Sequence, residues 1–593
     1  LLSGYGLVVN LNGTGGGIIP TDIASSMERQ MQLNGIGQGA DFDQGPLVDP
    51  STGRPLTASA LLQSEDVAVV LVQAVIPRGS PRGRNFDVFV NAINATSLEG
   101  GLLWTTPLNL GPPSTFGGPQ TQIIGEAYGP IFINPFAEPG LDPSQDSGAL
   151  FRSSGRILEG GTITAPLAAQ LAMDTPSHAR VQRLEQSIRS RFPETRFDEG
   201  PAARGVDDVT INLLIPTEYR ENPEEFLSLV EHLQVDNRFA PEYGRRYVAA
   251  LREDPRLAGR VSWLLRSLGD PGIPFARELY NERDGRLRLA GLRAGAKLGD
   301  PLVEDGLLAF ATNPRSRERL EAIRLLGEAD TGPQTDAALR ELAASGELVV
   351  RTAAYESLAQ RSEIAHTNRL ISASSSLGAG AALNRREAEL RASLAFPADP
   401  VRGVSRRLVA GKFVLDVVPF GDPMIYVVQQ GRPRIVIFGE DARIAKPTVI
   451  DTWSDRFMMI ADRADDPIRL LYRDYRTGQM ALDPDAPDGL AELADYLARR
   501  SAPEFDAPGL DLSYSETVGV LHAIAEAQGS RLAFATEEDR LIAAVTSFGT
   551  DAGNRRRPEI DAASEPPPDL PTNPREPRRP RVVPLNTPPA AAR

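Results

Sequence analysis

The stretch that most limits what this chain can become runs from Asp66 to Leu108, DVAVVLVQAVIPRGSPRGRNFDVFVNAINATSLEGGLLWTTPL. Val67 to Ile76 is a nearly unbroken apolar run rich in β-branched residues, and its length suits one strand covered on both faces. Pro77, Gly79, Pro81 and Gly83 then interrupt the chain, and Arg78, Arg82 and Arg84 keep that loop in water. Phe86 to Ile93 alternates, with Phe86, Val88 and Val90 on one side and Asp87 and Asn91 on the other, the pattern of a half-covered strand. Gly100 and Gly101 turn the chain into a third strand, Leu102 to Thr106. The block has no His, no Cys and no paired carboxylate, so it reads as scaffold.

At 593 residues the chain has room for three or four domains. A net charge of −15 argues against nucleic acid as a partner, because phosphate binding needs a basic face. The absence of cysteine excludes thiolate metal sites and disulfides without fixing a compartment. No run approaches the ~18–20 apolar residues that span a bilayer, so no membrane span is expected.

Gly4 to Gly17 is glycine-rich around an expected strand, Leu7 to Leu11. A phosphate loop would need Gly-Lys-Ser/Thr after it or a third glycine at the dinucleotide spacing, and neither is present. The segment reads as a tight turn that uses positive φ. Ser25 to Leu33 is one short helix, and Phe116 to Gly129 and Pro130 to Phe136 add short strands. Arg180 to Phe192 has helical spacing, Val209 to Ile215 is a strand, and Pro223 to Leu233 is a second helix capped by Asn222. This α-β-α run is a small module of the kind that packs side by side in rings.

Beyond it, SLGDP at 267–271 returns as KLGDP at 297–301, and RLAGLRAGAKLGD, RLEAIRLLGEAD and RTAAYESLAQ follow at similar spacing. Paired helices with a period of roughly 30 residues indicate a solenoid, read here as about four short HEAT-type repeats between Asp254 and Ser362. Strands return at Phe413 to Val418, Ile425 to Gln429, Arg434 to Phe438 and Phe457 to Asp462. Asp488 is expected to cap a helix from Leu490 to Arg499 rather than to join Asp483 and Asp485 around calcium, because no bidentate Glu closes that spacing. Glu516 to Gln528 is a further helix. The proline-dense tail from Asn554 onward is not expected to bury a core and is expected to be disordered.

No constellation supports an enzyme. His178, His232, His366 and His522 fall in separate regions without HExxH spacing, and no G-x-S-x-G occurs. Loop aspartates 41, 43 and 49 lack the fixed turn of a calcium cage. No catalytic residue, cofactor or metal is expected.

Several segments together resemble the flagellar P-ring protein family: GYGLVVNLNGTG (4–15), VAVVLVQA (67–74), FDVFVNAI (86–93), SLEGGLLWTTPL (97–108), SGRILEGGTI (154–163) and FLSLVEHLQV (226–235). PRIVIFGEDARIAKPTVIDTWSDRFMMIA (433–461) is fainter but similar to that family's C-terminal β segment. The resemblance implies a periplasmic subunit of a homo-oligomeric ring around the flagellar rod, with rod and L-ring proteins as partners and peptidoglycan as a further candidate contact. It also implies a signal peptide upstream of Leu1, which lies inside the family's first conserved segment.

The expected fold class is α+β multidomain. A P-ring-like core spans 1–236 (β-rich 1–170, an α/β module 171–236) and is followed by an inserted α-solenoid at 237–395. A C-terminal β-rich domain at 396–550 and a tail at 551–593 complete the chain. Arg78, Arg82 and Arg84 are candidates for a rod- or subunit-contact loop, with plain solubility as the other reading. Two functions stand: a bushing for rod rotation, or an envelope scaffold that reuses the core and docks a partner on its helical repeats.

Overall fold

A computed structural model describes residues 1–33, 57–113, 122–134, 152–167, 169–195, 198–235, 239–376, 383–453, 456–474, 478–500, 509–542 and 581–584. The loop with Asp41, Asp43 and Asp49 and most of the tail lie outside these residues, as do the ends of the strands expected at Phe116–Gly129 and Pro130–Phe136.

The chain opens with β1 (Leu2–Val9), α1 (Thr21–Leu33), α2 (Ala58–Leu62), β2 (Ala68–Ala74), β3 (Asn85–Ala92), β4 (Leu102–Leu110), β5 (Ile123–Pro130) and β6 (Ser154–Ile163). The six strands close an antiparallel barrel in the order β1-β2-β3-β6-β5-β4. The barrel explains the apolar run. Ala68, Val70, Val72 and Ala74 of β2 fill its interior with Leu2, Val8, Val88, Val90, Leu103 and Ile157. Val67 and Val69 face outward under Ile23, Met27 and Met31 of α1 and Leu61 and Leu62 of α2. The strand is apolar on both sides because both sides are covered.

The glycine motif is corrected in one respect. Gly4 and Gly6 lie inside β1, not ahead of the first strand. Positive φ occurs at Gly13 and Gly16, in the turn. Gly15 is needed for close approach: its N–H donates to Glu65 O at 2.7 Å, and a Cβ there would meet Val67 O at 2.2 Å. Backbone cannot yield as a side-chain tip can. Gly15→Ala is therefore expected to cost about 1–3 kcal/mol, read as an earlier unfolding transition of the barrel, whereas Gly259→Ala, which meets nothing within 4 Å, should not.

An α/β module follows, with β7 (Ala169–Ala172), α3 (His178–Arg191), β8 (Ala203–Gly205), β9 (Thr210–Leu213) and α4 (Pro223–Glu231). The Asn222 side chain accepts from Glu225 N–H and Pro223 opens the helix, as its sequence predicts. Val181, Ile188, Phe192, Phe226, Leu229 and Val230 pack on Leu171, Ile211 and Leu213. The Phe192 and Phe226 rings meet edge-on at 4.9 Å.

The central region is helical: α5 (Ala240–Glu253), α6 (Ala258–Ser267), α7 (Ile273–Arg277), α8 (Gly285–Lys297), α9 (Glu304–Ala311), α10 (Arg319–Glu328), α11 (Pro333–Ala343) and α12 (Leu348–Ser376). The repeated LGDP has a geometric cause. Gly269 and Gly299 both take left-handed φ (72° and 76°) to end α6 and α8. Ion pairs then recur at offsets of 30, 28 and 28 residues: Arg252–Glu282, Arg293–Glu321 and Arg319–Glu347.

Asp300 is buried. Its carboxylate accepts from Arg277 Nε (2.8 Å) and Nη2 (2.9 Å), Tyr280 OH (2.8 Å) and Leu302 N–H (3.2 Å). The Arg277 guanidinium, helped by Tyr280 and Leu302 against the opposing effect of burial, holds this carboxyl below the usual range. A depressed folded-state value gives stability that is present above the unfolded value of about 4 and lost as pH falls below it. The helical region of the wild type should weaken in that acid window. Asp300→Asn should be less stable at neutral pH and flatter there, which acid titration of Trp263 fluorescence checks.

The last part comprises α13 (Arg385–Leu394), β10 (Ser405–Val409), β11 (Phe413–Val418), β12 (Met424–Val428), β13 (Arg434–Phe438), β14 (Thr448–Thr452), β15 (Phe457–Ala461), β16 (Ile468–Arg473), β17 (Met480–Ala486), α14 (Leu490–Ala498), α15 (Tyr514–Gln528) and β18 (Ala533–Thr536). A mixed sheet β10-β11-β13-β12-β18 and an antiparallel sheet β14-β15-β16-β17 share one core with α14 and α15. The Asp488 expectation is corrected. Gly489 stands at the start of α14 with no side-chain cap, and Asp488 instead pairs with Arg443 (3.0 Å) and Lys446 (3.1 Å). Asp483 and Asp485 lie in β17, an edge strand, which is where Pro484 can be tolerated.

The fold class is mixed α+β, as the sequence predicts: a barrel, a multi-helix region and C-terminal sheets. In the tail, Arg581–Pro584 forms β19, paired with β7. The chain divides into two compact units. One holds residues 1–76, 81–166 and 362–537, and the other holds 77–80, 167–361 and 538–593.

Candidate assembly surfaces

The arginine loop joins β2 to β3. Ser80 Oγ donates to Pro77 O at 2.7 Å. Gly83 N–H donates to Ile163 O (2.7 Å) and Arg84 O accepts from Ile163 N–H (3.0 Å), so the loop's second half extends the pairing with β6. Arg78 and Arg82 are exposed and Arg84 is half-buried. The structure brings Arg82 and Arg84 to one end of the barrel and counts Arg78 with the other unit.

Within the first unit, the barrel and the C-terminal sheets meet at a joint that no local sequence signal announces. Asp87 Oδ1 accepts from Glu159 N–H (2.9 Å), and its Oδ2 accepts from Gly431 N–H in the β12–β13 hairpin (2.8 Å). Glu159 has a φ of 50°, unusual for a side chain this large, and its carboxylate lies 3.2 Å from Arg432 Nε. Arg156 donates to Gln429 O at 2.9 Å while its guanidinium covers the Phe89 ring at 4.6 Å. Ser515 Oγ donates to Ile133 O at 2.8 Å.

The joint also has an apolar half. Phe132 and Leu158 come from the barrel end of the sequence yet are buried in the C-terminal core, and the Phe132 ring lies 5.5 Å from that of Tyr514. Arg406 grips Asp416 through two 2.8 Å contacts and reaches Glu363 at 2.9 Å. Burial raises the Glu363 carboxyl above its usual range even though Arg406, Arg432 and Arg434 oppose this. These contacts are structural ties.

A third feature is the outer face of the four-stranded sheet. Ile450, Met459 and Leu470 point into the core, and the alternate positions make the opposite face, where Val449, Met458, Ile460, Leu471, Met480 and Leu482 stand among Asp451, Arg469 and Arg473. Val449, Met480 and Leu482 are 66%, 65% and 73% exposed, so three large apolar side chains are left in water on one sheet. Exposed apolar side chains gathered on one sheet face and interleaved with charged ones make this face a candidate contact with another macromolecule.

The histidines remain apart. His178 is exposed, His232 stacks on Trp263 with its Nδ1 at 2.7 Å from Ser228 O, His366 is lowered by burial and by Arg369, and His522 packs edge-on to Phe534. Among the described residues no three His, Cys, Asp or Glu side chains group as a metal site, and no helix is long and apolar enough to cross a membrane.

The barrel and the module coincide with a family boundary. The model of the flagellar P-ring protein family matches residues 1–242. The chain is 30% identical to the flagellar P-ring protein of Aquifex aeolicus over 242 residues, which is 40% of this chain and 57% of that protein. It is 27% identical to the protein of the same description from Paramagnetospirillum magneticum over 246 residues, 40% of this chain and 56% of the relative. The one from Geotalea uraniireducens is 27% identical over 347 residues, 53% of this chain and 83% of the relative. The chain thus spans little more than half the length of the first two of these relatives. The six-stranded barrel and the α/β module of residues 1–242 carry the pattern of the flagellar P-ring protein family.

Proposed function

We propose that this chain is a structural subunit of a P-ring-like assembly surrounding the flagellar rod in the periplasm, where many copies form a stiff bushing for rotation. The observation that carries the reading is the family match over residues 1–242, which takes in the whole barrel and the module. The joint built on Asp87, Arg156, Phe132 and Tyr514 supports it mechanically, since a bushing needs its β parts to move as one body. The apolar face around Val449, Met480 and Leu482 is the candidate lateral contact between copies. Arg78, Arg82 and Arg84 are the candidate rod- or subunit-facing loop, where charge keeps the surface from sticking. L-ring proteins and peptidoglycan are the further expected contacts.

The helical insert is read as a HEAT-like docking surface or spacer, supported by the recurring LGDP turns and the ladder of Arg–Glu pairs. That insert, most of which lies outside residues 1–242, also favours a second reading: an envelope scaffold with a P-ring-like core and no flagellum. Electron microscopy of basal bodies carrying a tagged copy tests the choice. Tag density in a ring around the rod is the expected result, and intact flagella without it sink the first reading.

A further inference from the structure

The sheet of the α/β module has the order β19-β7-β9-β8, so its edge beside β7 is closed only by a piece of the chain's own tail. The pairing is antiparallel: Arg581 opposite Ala172, Val582 opposite Leu171, Val583 opposite Gln170 and Pro584 opposite Ala169. Without those residues β7 would present a row of unpaired backbone groups, the template on which another strand adds. The tail sequence is suited to that task. Arg581, Val582 and Val583 stand between Pro580 and Pro584, so two strand-forming valines are bounded on each side by a residue that cannot donate to a ladder. The segment can fill one short edge and cannot seed a longer sheet.

Nothing in the pairing itself requires donor and acceptor to be the same copy. About 40 residues separate Ile542 from Arg581, a contour length on the order of 130 Å, several times the ~30 Å width of a small domain. Identical hydrogen bonds are therefore within reach of the chain's own β7 and of the β7 of a copy beside it. In a closed ring, each module that gives its tail forward receives one from behind, and no β7 is left unpaired.

We propose that Arg581–Pro584 is an exchangeable strand: it pairs with its own β7 in the isolated chain and with the β7 of the adjacent copy in the assembly. The partner is a second copy of this chain, and the interface is four residues of backbone pairing delivered on a long tether. The proposal rests on the ring reading for its biological setting but can be tested apart from it.

The chain has no cysteine, which makes the test clean. Directly opposed residues in an antiparallel pair have Cα atoms about 4.5–5.5 Å apart, within disulfide range. One full-length variant carries Gln170→Cys and another, with a size tag, carries Val583→Cys. Mixed, assembled and oxidised, they can form the designed bond only between copies. A mixed dimer that runs at the combined mass of the two chains and disappears on reduction is the expected result. The double variant, dilute and unassembled, should close within one chain and keep monomer mobility. If the double variant closes internally while the mixture yields no mixed dimer, strand exchange is wrong. If neither bond forms, the β19–β7 pairing itself is wrong, and the proposal with it. Rings seen by electron microscopy without the mixed dimer leave the ring reading standing, and a mixed dimer without rings does the reverse.

Discussion

Replacing Arg361 with leucine is expected to cost the helical region about 3–5 kcal/mol. Arg361 and Asp336 are a buried pair, with 7% and 3% of their side chains exposed and 2.6 Å between Nε and Oδ1. The remaining guanidinium donors are also used. Nη1 donates to Leu326 O (3.2 Å), Ala329 O (2.9 Å) and Thr331 Oγ1 (2.9 Å), and Nη2 donates to Thr331 O (2.8 Å). Removing the arginine takes the ion-pair partner from the buried Asp336 carboxylate and a donor from three carbonyls. That desolvation, more than the lost attraction, makes the effect large. The paired change Arg361→Leu with Asp336→Leu should be milder than Arg361→Leu alone, because the buried carboxylate is removed together with its ion-pair partner. The three tryptophans fall one to a region, Trp104 in the barrel, Trp263 among the helices and Trp453 at the C-terminal sheets. Single-tryptophan chains unfolded in denaturant can therefore assign the loss. It should be read by Trp263, and equal shifts at all three probes would refute the local account.

The second large effect is expected at the joint. Phe132→Ala should destabilise the C-terminal sheets by about 3–5 kcal/mol, the range for deleting a buried aromatic ring. Phe132 is 8% exposed and belongs with Tyr514 to the C-terminal core, not to the residues that fill the barrel. Trp453, which packs against that core, should report the loss, while Trp104 on the barrel's outer side should change little. Cleavage by protease within 396–537 at concentrations the wild type resists would be the accompanying sign, since local opening exposes backbone. An unchanged Trp453 transition would mean that the joint contributes nothing to holding the sheets.

The sequence makes some of this legible and conceals the rest for physical reasons. The run at Val67–Ile76 is informative because a strand covered on both faces has no polar side, and β2 proves to be sandwiched between the barrel interior and α1–α2. Asn222 before Pro223 is equally informative, since a cap acts over three residues. β11 and β13 match their expected bounds because buried β-branched runs between glycines leave little freedom. β10, β14 and β16 are short and mixed in character, and β17 contains Pro484 and two aspartates, so propensity argues against the strand that tertiary pairing imposes. Asp488 illustrates the same limit: Arg443 and Lys446 reach it from more than 40 residues away.

By itself, then, the sequence determined many of the local elements and the likeness of its first part to the P-ring family, because periodicity, caps and collinear motifs act over a few residues and survive without a partner. The tertiary structure alone decided that Phe132 and Leu158 belong to a core built mainly from residues beyond 400. It also decided that Asp87 meets Gly431, and that β7 takes its last neighbour from the tail. Contacts across hundreds of residues leave no periodic trace in the chain. They arise because buried polar groups and half-covered strands must find partners wherever the fold supplies them.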